Sequence, residues 1–264
     1  MENIHIGKKN QWHFGVFQMS SEKKLAIGIP TYKRPDFAIK LVKNLTLIDI
    51  YDQIIVSSNS KETELVEFIE SINNPRITFN QQKNNVGMAR NYFDIIKICE
   101  CEYLHIISDE DEIYDNNVKI FYNELKKNIN SSLVIVGVNN KDDVVYKDSS
   151  WQKNKYLKDS LGETAHIGSS IINRKLIDEK MLNILYRYAA REGAVYPTTL
   201  AALAAYSVGG TIEYFKKPLV KMGDLHKVRE ISGHSVYGFE PRLHQYMSLY
   251  KSLKKIKFKK KSLI

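Results

Sequence analysis

A regular alternation of short apolar runs and helical segments restricts what the first half of this chain can fold into. Four runs rich in aliphatic and β-branched residues are separated by three segments with apolar residues at helical spacing; the runs are 24–30, 53–58, 76–80 and 103–108. Strand–helix–strand repetition of this kind predicts a mostly parallel sheet with helices on both faces. Such sheets bind ligands beyond the carboxyl ends of their strands, so the residues after each strand are the candidates for a functional site.

The second half of the sequence is less regular. Apolar runs predict strands at 132–138, 143–147 and 166–173, and residues 174–208 are predicted to be mostly helical. In the segment 211–223 we expect two short strands separated at Pro218, because proline cannot donate a hydrogen bond within a sheet.

The C-terminal end is strongly basic. A last amphipathic helix is predicted to begin near Pro241, with one apolar side formed by Leu243, Met247, Tyr250 and Leu253. It runs into residues 251–264, which contain seven lysines and no acidic residue, whereas the net charge of the whole chain is +9. The rest of the chain is therefore nearly neutral, which disfavours a specific nucleic-acid-binding face within the fold. Lysines interleaved with apolar residues predict contact with an anionic membrane surface; a basic end without a partner is the alternative.

The remaining global features predict a cytosolic protein. No run reaches the roughly 18 apolar residues needed to span a bilayer, and the N-terminal residues lack the apolar run of a secretion signal. Cys99 and Cys101 lie too close together for an easy disulfide, and no zinc pattern surrounds them, so we expect reduced packing residues.

An acidic cluster directly follows the fourth predicted strand. It consists of Asp109, Glu110, Asp111 and Glu112. Taken alone, the cluster is typical of a solvated turn ahead of a helix at 115. Asp109 and Asp111 could instead bind one divalent cation, because Mg²⁺ is held by few carboxylates together with phosphate oxygens and water. The cluster by itself leaves both alternatives open.

Four strand ends, in order and spacing, resemble the nucleotide-binding half of the family-two glycosyltransferases, which have the GT-A fold. They read IGIPTYKRP, QIIVSSNS, NNVGMARN and YLHIISDEDE, the last with the D-x-D pattern. The resemblance covers residues 24–115 and is weaker across 130–230, where the acceptor-binding half of the family varies. It implies an α/β fold with a mostly parallel central sheet flanked by helices. This domain would span residues 1–240, followed by the C-terminal helix and basic tail at 241–264.

The resemblance also implies an activity. Such an enzyme moves a sugar from a nucleoside diphosphate to a hydroxyl of a glycan or lipid-linked glycan, with inversion and with Mn²⁺ or Mg²⁺, in bacterial surface polysaccharide synthesis. The alternative is a catalytically degenerate relative that binds only nucleotide or a partner. A sugar nucleotidyltransferase and a Rossmann dehydrogenase are disfavoured, because the chain lacks their glycine-rich loops.

Residue roles follow from the matching positions. Tyr32 would lie against the base and Arg34 would reach phosphate or ribose; the full set of implied nucleotide contacts is Pro30, Thr31, Tyr32, Arg34, Ser57, Asn59, Asn85, Gly87, Arg90 and Asp109. Asp111 is implied as the main metal ligand, and Asp109 would touch the ribose or share the ion. His226 matches a family histidine that returns to the metal or the diphosphate, with an ordinary loop histidine as the alternative.

The chain departs from the family pattern at two places. The neutral turn Ser57-Ser58-Asn59 stands where many relatives have an aspartate that holds uracil, so the base stays open. The acidic pair that supplies the catalytic base is replaced by Tyr196-Pro197, an arrangement that resembles O-antigen transferases and implies a deoxysugar donor. Because transfer needs a carboxylate or histidine to accept the hydroxyl proton, Glu192 is the nearest candidate base, with Asp143 and His166 as alternatives.

Overall fold

The alternation of strands and helices in the first half is present in the computed structural model of the protein. The structure describes residues 24–127, 131–139, 151–154, 164, 166–191, 194–223 and 239–256. In the first half it contains β1 (Leu25–Thr31), α1 (Pro35–Thr46), β2 (Gln53–Ser58), α2 (Thr63–Ile72), β3 (Ile77–Gln81), α3 (Met88–Ile98) and β4 (Tyr103–Ile106). Each of the four strands begins and ends within about two residues of its predicted bounds.

The second half contributes further strands and the C-terminal helices. Its elements are β5 (Glu112–Ile113), α4 (Asp115–Leu125), β6 (Leu133–Asn139), β7 (Trp151–Asn154), β8 (Ser170–Asn173), a 3₁₀ turn (Arg174–Leu176), α5 (Glu179–Ala189), α6 (Pro197–Gly209), β9 (Ile212–Lys221) and α7 (Phe239–Leu253). The strand predicted at 143–147 and the basic tail beyond residue 256 lie outside the described residues.

The described strands form one mixed sheet in the order β3-β2-β1-β4-β8-β6-β9-β5, with β7 paired to β9. Strands β1 to β4 are parallel, as predicted. Strand β8 runs antiparallel to both β4 and β6, and β5 and β7 run antiparallel to β9. The parallel arrangement therefore describes the first half of the sheet, and antiparallel pairs dominate the second.

The break predicted at Pro218 is wrong, because β9 is one strand with an irregularity. Phe215 pairs with Val136, whereas the next paired residues are Pro218 and Gly137. A Cβ atom at position 137 would lie 2.9 Å from the Cα atom of Pro218, so glycine permits this close approach. The missing N–H of proline is accommodated where the ladder is already interrupted, and the strand continues.

Helices cover both faces of the sheet. One buried cluster joins α1 and α4 to side chains such as Ile27 and Val56, and the other joins α3, α5 and α6 to side chains such as Ile55 and Leu104. The layered α/β architecture is thus confirmed, while the division of the chain at residue 240 stays a prediction. No helix among the described residues is both long and apolar enough to cross a bilayer.

The apolar side predicted for the last helix is wrong. Leu253 packs against the α3–α5–α6 cluster, but Met247 and Tyr250 face outward. The inward side consists partly of Gln245, Ser248 and Ser252, which are buried. The side chain of Leu243 lies outside the described part of the structure. Helical periodicity identifies a row of apolar residues, but tertiary packing selects which row is covered.

We expect the buried histidine of β4 to make the protein sensitive to acid. His105 Nε2 lies 2.8 Å from the carbonyl oxygen of Gly168, and burial lowers the pKa of His105 from 6.5 to about 4. The unfolded chain binds the proton first as pH falls, so the free energy of unfolding decreases between about pH 6.5 and pH 4, by about 3 kcal/mol in total. Chemical denaturation across this range should show a flatter pH dependence for His105→Gln. Parallel curves for the two proteins would contradict the assignment.

Candidate functional site

A cavity of about 320 Å³ opens at the carboxyl ends of the parallel strands. Seven of the predicted nucleotide contacts line it: Pro30, Thr31, Tyr32, Arg34, Asn59, Asn85 and Gly87. They come together because β1 and β2 are parallel neighbours, so the loops that follow them emerge at the same edge. The wall also includes Ser108, which follows β4, and Met88 and Asn91 from the first turn of α3. We refer to this space as the strand-end cavity.

Three predicted contacts do not line the strand-end cavity: Ser57, Arg90 and Asp109, of which Asp109 lies in the acidic cluster described below. Ser57 is buried behind the cavity, where its hydroxyl donates to the Asn91 side-chain carbonyl at 2.7 Å. The Arg90 guanidinium lies 3.1 Å from the Asp94 carboxylate and 3.9 Å from the centre of the Tyr186 ring. Arg90 therefore links α3 to α5.

The neutral turn after β2 positions the loop ahead of α3. The Asn59 side-chain amide donates to Asn85 Oδ1 at 2.6 Å, and its carbonyl oxygen accepts from the Val86 N–H at 2.8 Å. The Gly87 N–H also donates to Asn85 Oδ1, and Gly87 adopts a φ of 83°, which favours glycine. The side-chain amide of Asn59 is thus hydrogen-bonded to this loop, and α3 begins directly beside the strand-end cavity.

Arg34 joins the first loop to the acidic cluster. Its guanidinium lies 2.6 Å from Asp109 Oδ1 and 3.1 Å from Glu110 Oε2, while the Thr31 hydroxyl donates to Asp109 Oδ2 at 2.6 Å. Burial, reinforced by Glu110, raises the pKa of Asp109, and Arg34 opposes that rise. Burial also acts to raise the pKa of Glu110. Hydrogen bonds from Asp109 and Ser108 and the charge of Arg34 outweigh this effect, so the pKa of Glu110 is lowered.

Asp111 is buried and accepts backbone hydrogen bonds. One carboxylate oxygen accepts from the Ser108 N–H at 3.2 Å and the other from the Gly223 N–H at 3.1 Å. Burial raises the pKa of Asp111 from 3.8 to about 7, against the effect of the Gly223 hydrogen bond. Asp109 and Asp111 are only 1% and 5% exposed, so these two carboxylates are not part of a solvated turn, whereas the Glu112 side chain is 43% exposed. Neither aspartate lines the strand-end cavity; both line a second cavity of about 290 Å³, beside α1.

The carboxylates fit a divalent cation whose coordination is completed by a substrate. Among the described residues, no group of three or more acidic, histidine or cysteine side chains is arranged to hold a metal. Two carboxylates are nevertheless a common protein contribution to a Mg²⁺ site, where phosphate oxygens and water supply the other ligands. Burial disfavours the charged form of the Asp111 carboxyl group, and a bound cation would offset this free-energy cost. His226, like Glu192 and Asp143, lies outside the described residues.

A third cavity, of about 400 Å³, lies between β6 and the irregular part of β9. Its wall includes His166, Ser169, Tyr214 and Met222. The next residue after His166 is Ile167, which lines the strand-end cavity, so the segment 166–169 separates the two spaces. His105 holds this segment through the carbonyl of Gly168. Sequence reasoning missed this cavity, because it depends on the irregular pairing around Pro218.

Sequence comparison finds related proteins for part of the chain. The family model described as "Glycosyl transferase family 2" matches residues 26–183. The "Putative colanic acid biosynthesis glycosyl transferase WcaA" of Escherichia coli (strain K12) is 29% identical over 106 residues, which are 39% of this chain and 38% of that protein. The chain therefore matches well under half the length of this curated relative.

Solved structures resemble the fold at low sequence identity. S. aureus TarS 1–349 has a TM-score of 0.60 at 16% identity, covering 87% of this chain and 70% of that one. The complex of TarS 1–349 with UDP-GlcNAc has a TM-score of 0.55 at 15% identity, covering 87% and 71%. The mannosyltransferase PcManGT from Pyrobaculum calidifontis, in complex with GDP-Man and Mn²⁺, has a TM-score of 0.54 at 10% identity, covering 89% and 64%. These similarities confirm the predicted GT-A fold.

Proposed function

Because the chain belongs to glycosyl transferase family 2, we propose that it transfers a sugar from a nucleoside diphosphate to a hydroxyl of a glycan or lipid-linked glycan. The observation that carries the proposal is the strand-end cavity, which adjoins buried carboxylates in a chain of this family. The names of the relatives support it: WcaA is named for colanic acid biosynthesis, and solved complexes contain UDP-GlcNAc or GDP-Man with Mn²⁺. The wider role we propose is bacterial surface polysaccharide synthesis.

The strand-end cavity receives the nucleotide. Tyr32 is 40% exposed at its rim, where an aromatic ring can lie against a base. The start of α3, after Gly87, directs free backbone N–H groups toward a bound phosphate. Asn59 is a neutral residue whose amide is already hydrogen-bonded, so the base is selected without a carboxylate from this turn. We therefore expect the base to be recognised mainly through stacking and backbone contacts.

Asp111 and Asp109 hold Mn²⁺ or Mg²⁺ in this proposal. The cation, when bound, neutralises charge that develops on the leaving diphosphate. Thr31 and Arg34 keep the Asp109 carboxylate oriented, and the backbone N–H groups of Ser108 and Gly223 orient Asp111. These contacts prepare the carboxylates before the donor arrives.

His166 is the catalytic base in this proposal, with Glu192 as the alternative. Its Nδ1 lies 2.5 Å from the carbonyl oxygen of Ile167, and the neutral tautomer that donates this hydrogen bond has a lone pair on Nε2. The acceptor occupies the cavity that His166 lines. Its hydroxyl oxygen bonds to the anomeric carbon as the hydroxyl proton passes to Nε2. The bond from that carbon to the diphosphate oxygen breaks, and its electron pair leaves with the diphosphate, giving inversion.

His166→Gln is expected to lower kcat by at least about 100-fold, because general-base catalysis contributes roughly 10²–10⁴-fold. Affinity for the donor should not change, since His166 lies on the wall of a different cavity. Steady-state kinetics and donor titration of this variant and of Glu192→Gln would check both points. An inactive Glu192→Gln beside an active His166→Gln would assign the base to Glu192.

The activity itself is tested with a panel of nucleotide sugars, with and without Mn²⁺. A donor at about 100 times its dissociation constant should stabilise the fold by about 2.7 kcal/mol, which thermal unfolding detects. The donor that stabilises the protein should also be hydrolysed slowly, or transferred when an acceptor pool is added. Binding without either reaction would support the degenerate nucleotide-binding alternative. If no donor raises the melting temperature, the proposal fails.

A further inference from the structure

We propose that the outward face of α7 docks the protein on an anionic lipid surface. This goes beyond the proposed function, since it concerns where the protein works rather than which reaction it performs. The outward face consists of Tyr246, Met247, Tyr250 and Lys251 of α7 together with Lys254 and Lys255 of the turn that follows it, all of them exposed. They form two adjacent rows with a spacing of four residues, one at positions 246, 250 and 254 and the other at 247, 251 and 255. Residues at this spacing lie on the same side of a helix, so the two rows form one continuous stripe.

The solvent-facing side of α7 carries apolar side chains, although this side of a surface helix is usually polar. Tyr246, Met247 and Tyr250 are 58%, 45% and 53% exposed. The opposite side buries Gln245, Ser248 and Ser252 beside its leucines. Amphipathic helices of globular proteins normally place their apolar stripe toward the core. Met247 and Tyr250 therefore contribute little to the fold and leave apolar surface available to a partner.

Contacts with the rest of the protein hold this face in place. Arg191 donates from its guanidinium to the carbonyl oxygen of Ser248 at 3.1 Å. The Tyr246 ring stacks on the Tyr196 ring, with centroids 5.8 Å apart and an interplanar angle of 17°. Leu249 and Leu253 pack against the buried cluster of α3, α5 and α6. The exposed rings are thus presented on a fixed helix.

The charge of the face selects the partner. Residues 241–264 contain no acidic residue, and four further lysines follow Ile256 in the sequence. Lys254 Nζ lies 4.6 Å from the centre of the Tyr250 ring, so the positive charge and the apolar surface adjoin. Lysines attract anionic headgroups, while tyrosine and methionine side chains enter the boundary between headgroups and acyl chains. A nucleic acid would satisfy the lysines but leaves Met247 without an apolar environment.

Flotation of the full chain with vesicles tests the proposal. We expect binding to phosphatidylcholine vesicles that contain phosphatidylglycerol, and much weaker binding to phosphatidylcholine alone. The triple variant Lys251→Gln, Lys254→Gln and Lys255→Gln should lose about 100-fold in partitioning, at about fivefold per lysine. The double serine variant of Met247 and Tyr250, which keeps the Tyr246–Tyr196 stack, should lose about tenfold on the same vesicles.

A matched control separates the face from overall charge. Lys61, Lys97 and Lys119 are exposed on other helices and loops, and their triple glutamine variant has the same net charge as the first variant. It should bind vesicles like the unchanged protein, and all variants should keep their melting temperature. Equal losses in both lysine variants would overturn the proposal, as would unchanged binding after the serine substitutions. Tighter binding of a single-stranded oligonucleotide than of anionic vesicles at the same salt concentration would also overturn it.

Donor hydrolysis without vesicles distinguishes this proposal from the proposed function. The face variants should hydrolyse donor in solution as the unchanged protein does, because α7 does not line the strand-end cavity. Vesicle binding without any hydrolysis would overturn only the proposed function. Hydrolysis without vesicle binding would overturn only the docking surface.

Discussion

Replacing Asp111 with asparagine is expected to abolish sugar transfer while raising the melting temperature of the metal-free protein. Transfer should fall by about 10³-fold or more, because the variant loses a metal ligand whose cation stabilises the transition state by several kcal/mol. The stability effect has a separate origin. Burial raises the pKa of Asp111 from 3.8 to about 7, so the folded protein holds this proton more tightly than the unfolded chain. The free energy of unfolding therefore decreases as pH rises through that range.

The neutral asparagine avoids this loss, but its single carbonyl oxygen can accept from only one of the two backbone N–H groups that Asp111 binds. Above about pH 7 we therefore expect a net gain of about 1–3 kcal/mol over the unchanged protein. Thermal unfolding below and above the range, with and without Mn²⁺, measures both effects. Mn²⁺ should stabilise only the unchanged protein. Asp49→Asn is the matched control, since the Asp49 side chain is 98% exposed, and it should change neither property. A variant that is less stable at high pH than the unchanged protein would contradict the role of burial, and retained stabilisation by Mn²⁺ would contradict the metal site.

Arg34→Met is expected to destabilise the protein by about 3–5 kcal/mol, the usual cost of removing one partner from a buried charge network. Without the guanidinium, the Asp109 and Glu110 carboxylates adjoin each other with side chains only 0% and 8% exposed. Because ionised carboxylates then repel, the loss should be largest at high pH and smaller where they bind protons. Urea denaturation at several pH values measures this, and Arg34→Lys should be intermediate because it keeps the charge but not the two-armed geometry.

The double variant Arg34→Met, Asp109→Asn serves as the control for this coupling. Removing one carboxylate relieves the repulsion, so the double variant should be more stable than Arg34→Met alone. It also keeps the test informative if the single variant does not fold. Additive losses from the two substitutions would show that Arg34 does not act through Asp109.

The candidate site was predictable where it depends on strand ends and less so where it depends on helix faces. Thr31 is the last residue of β1, and Asn59 and Asp109 come after β2 and β4, its two parallel neighbours. The carboxyl ends of such strands necessarily meet at one edge. Arg90 lies on a helix, where neighbouring positions point in different directions. Asn91 reaches the strand-end cavity, whereas Arg90 turns to Asp94 and Tyr186. The sequence motif alone does not show in which direction each of these two side chains points.

The sequence by itself determined the alternation of strands and helices, the order of the strand-end loops and the basic character of the C-terminal end. These properties are local, since they depend on periodicity and on the residues next to each strand. Only the tertiary structure decided that Arg34 lies between Asp109 and Glu110, that burial raises the pKa of Asp111, and that the tyrosines of α7 face outward. Burial and charge pairing depend on segments far apart in the chain, and no local pattern specifies which of them meet.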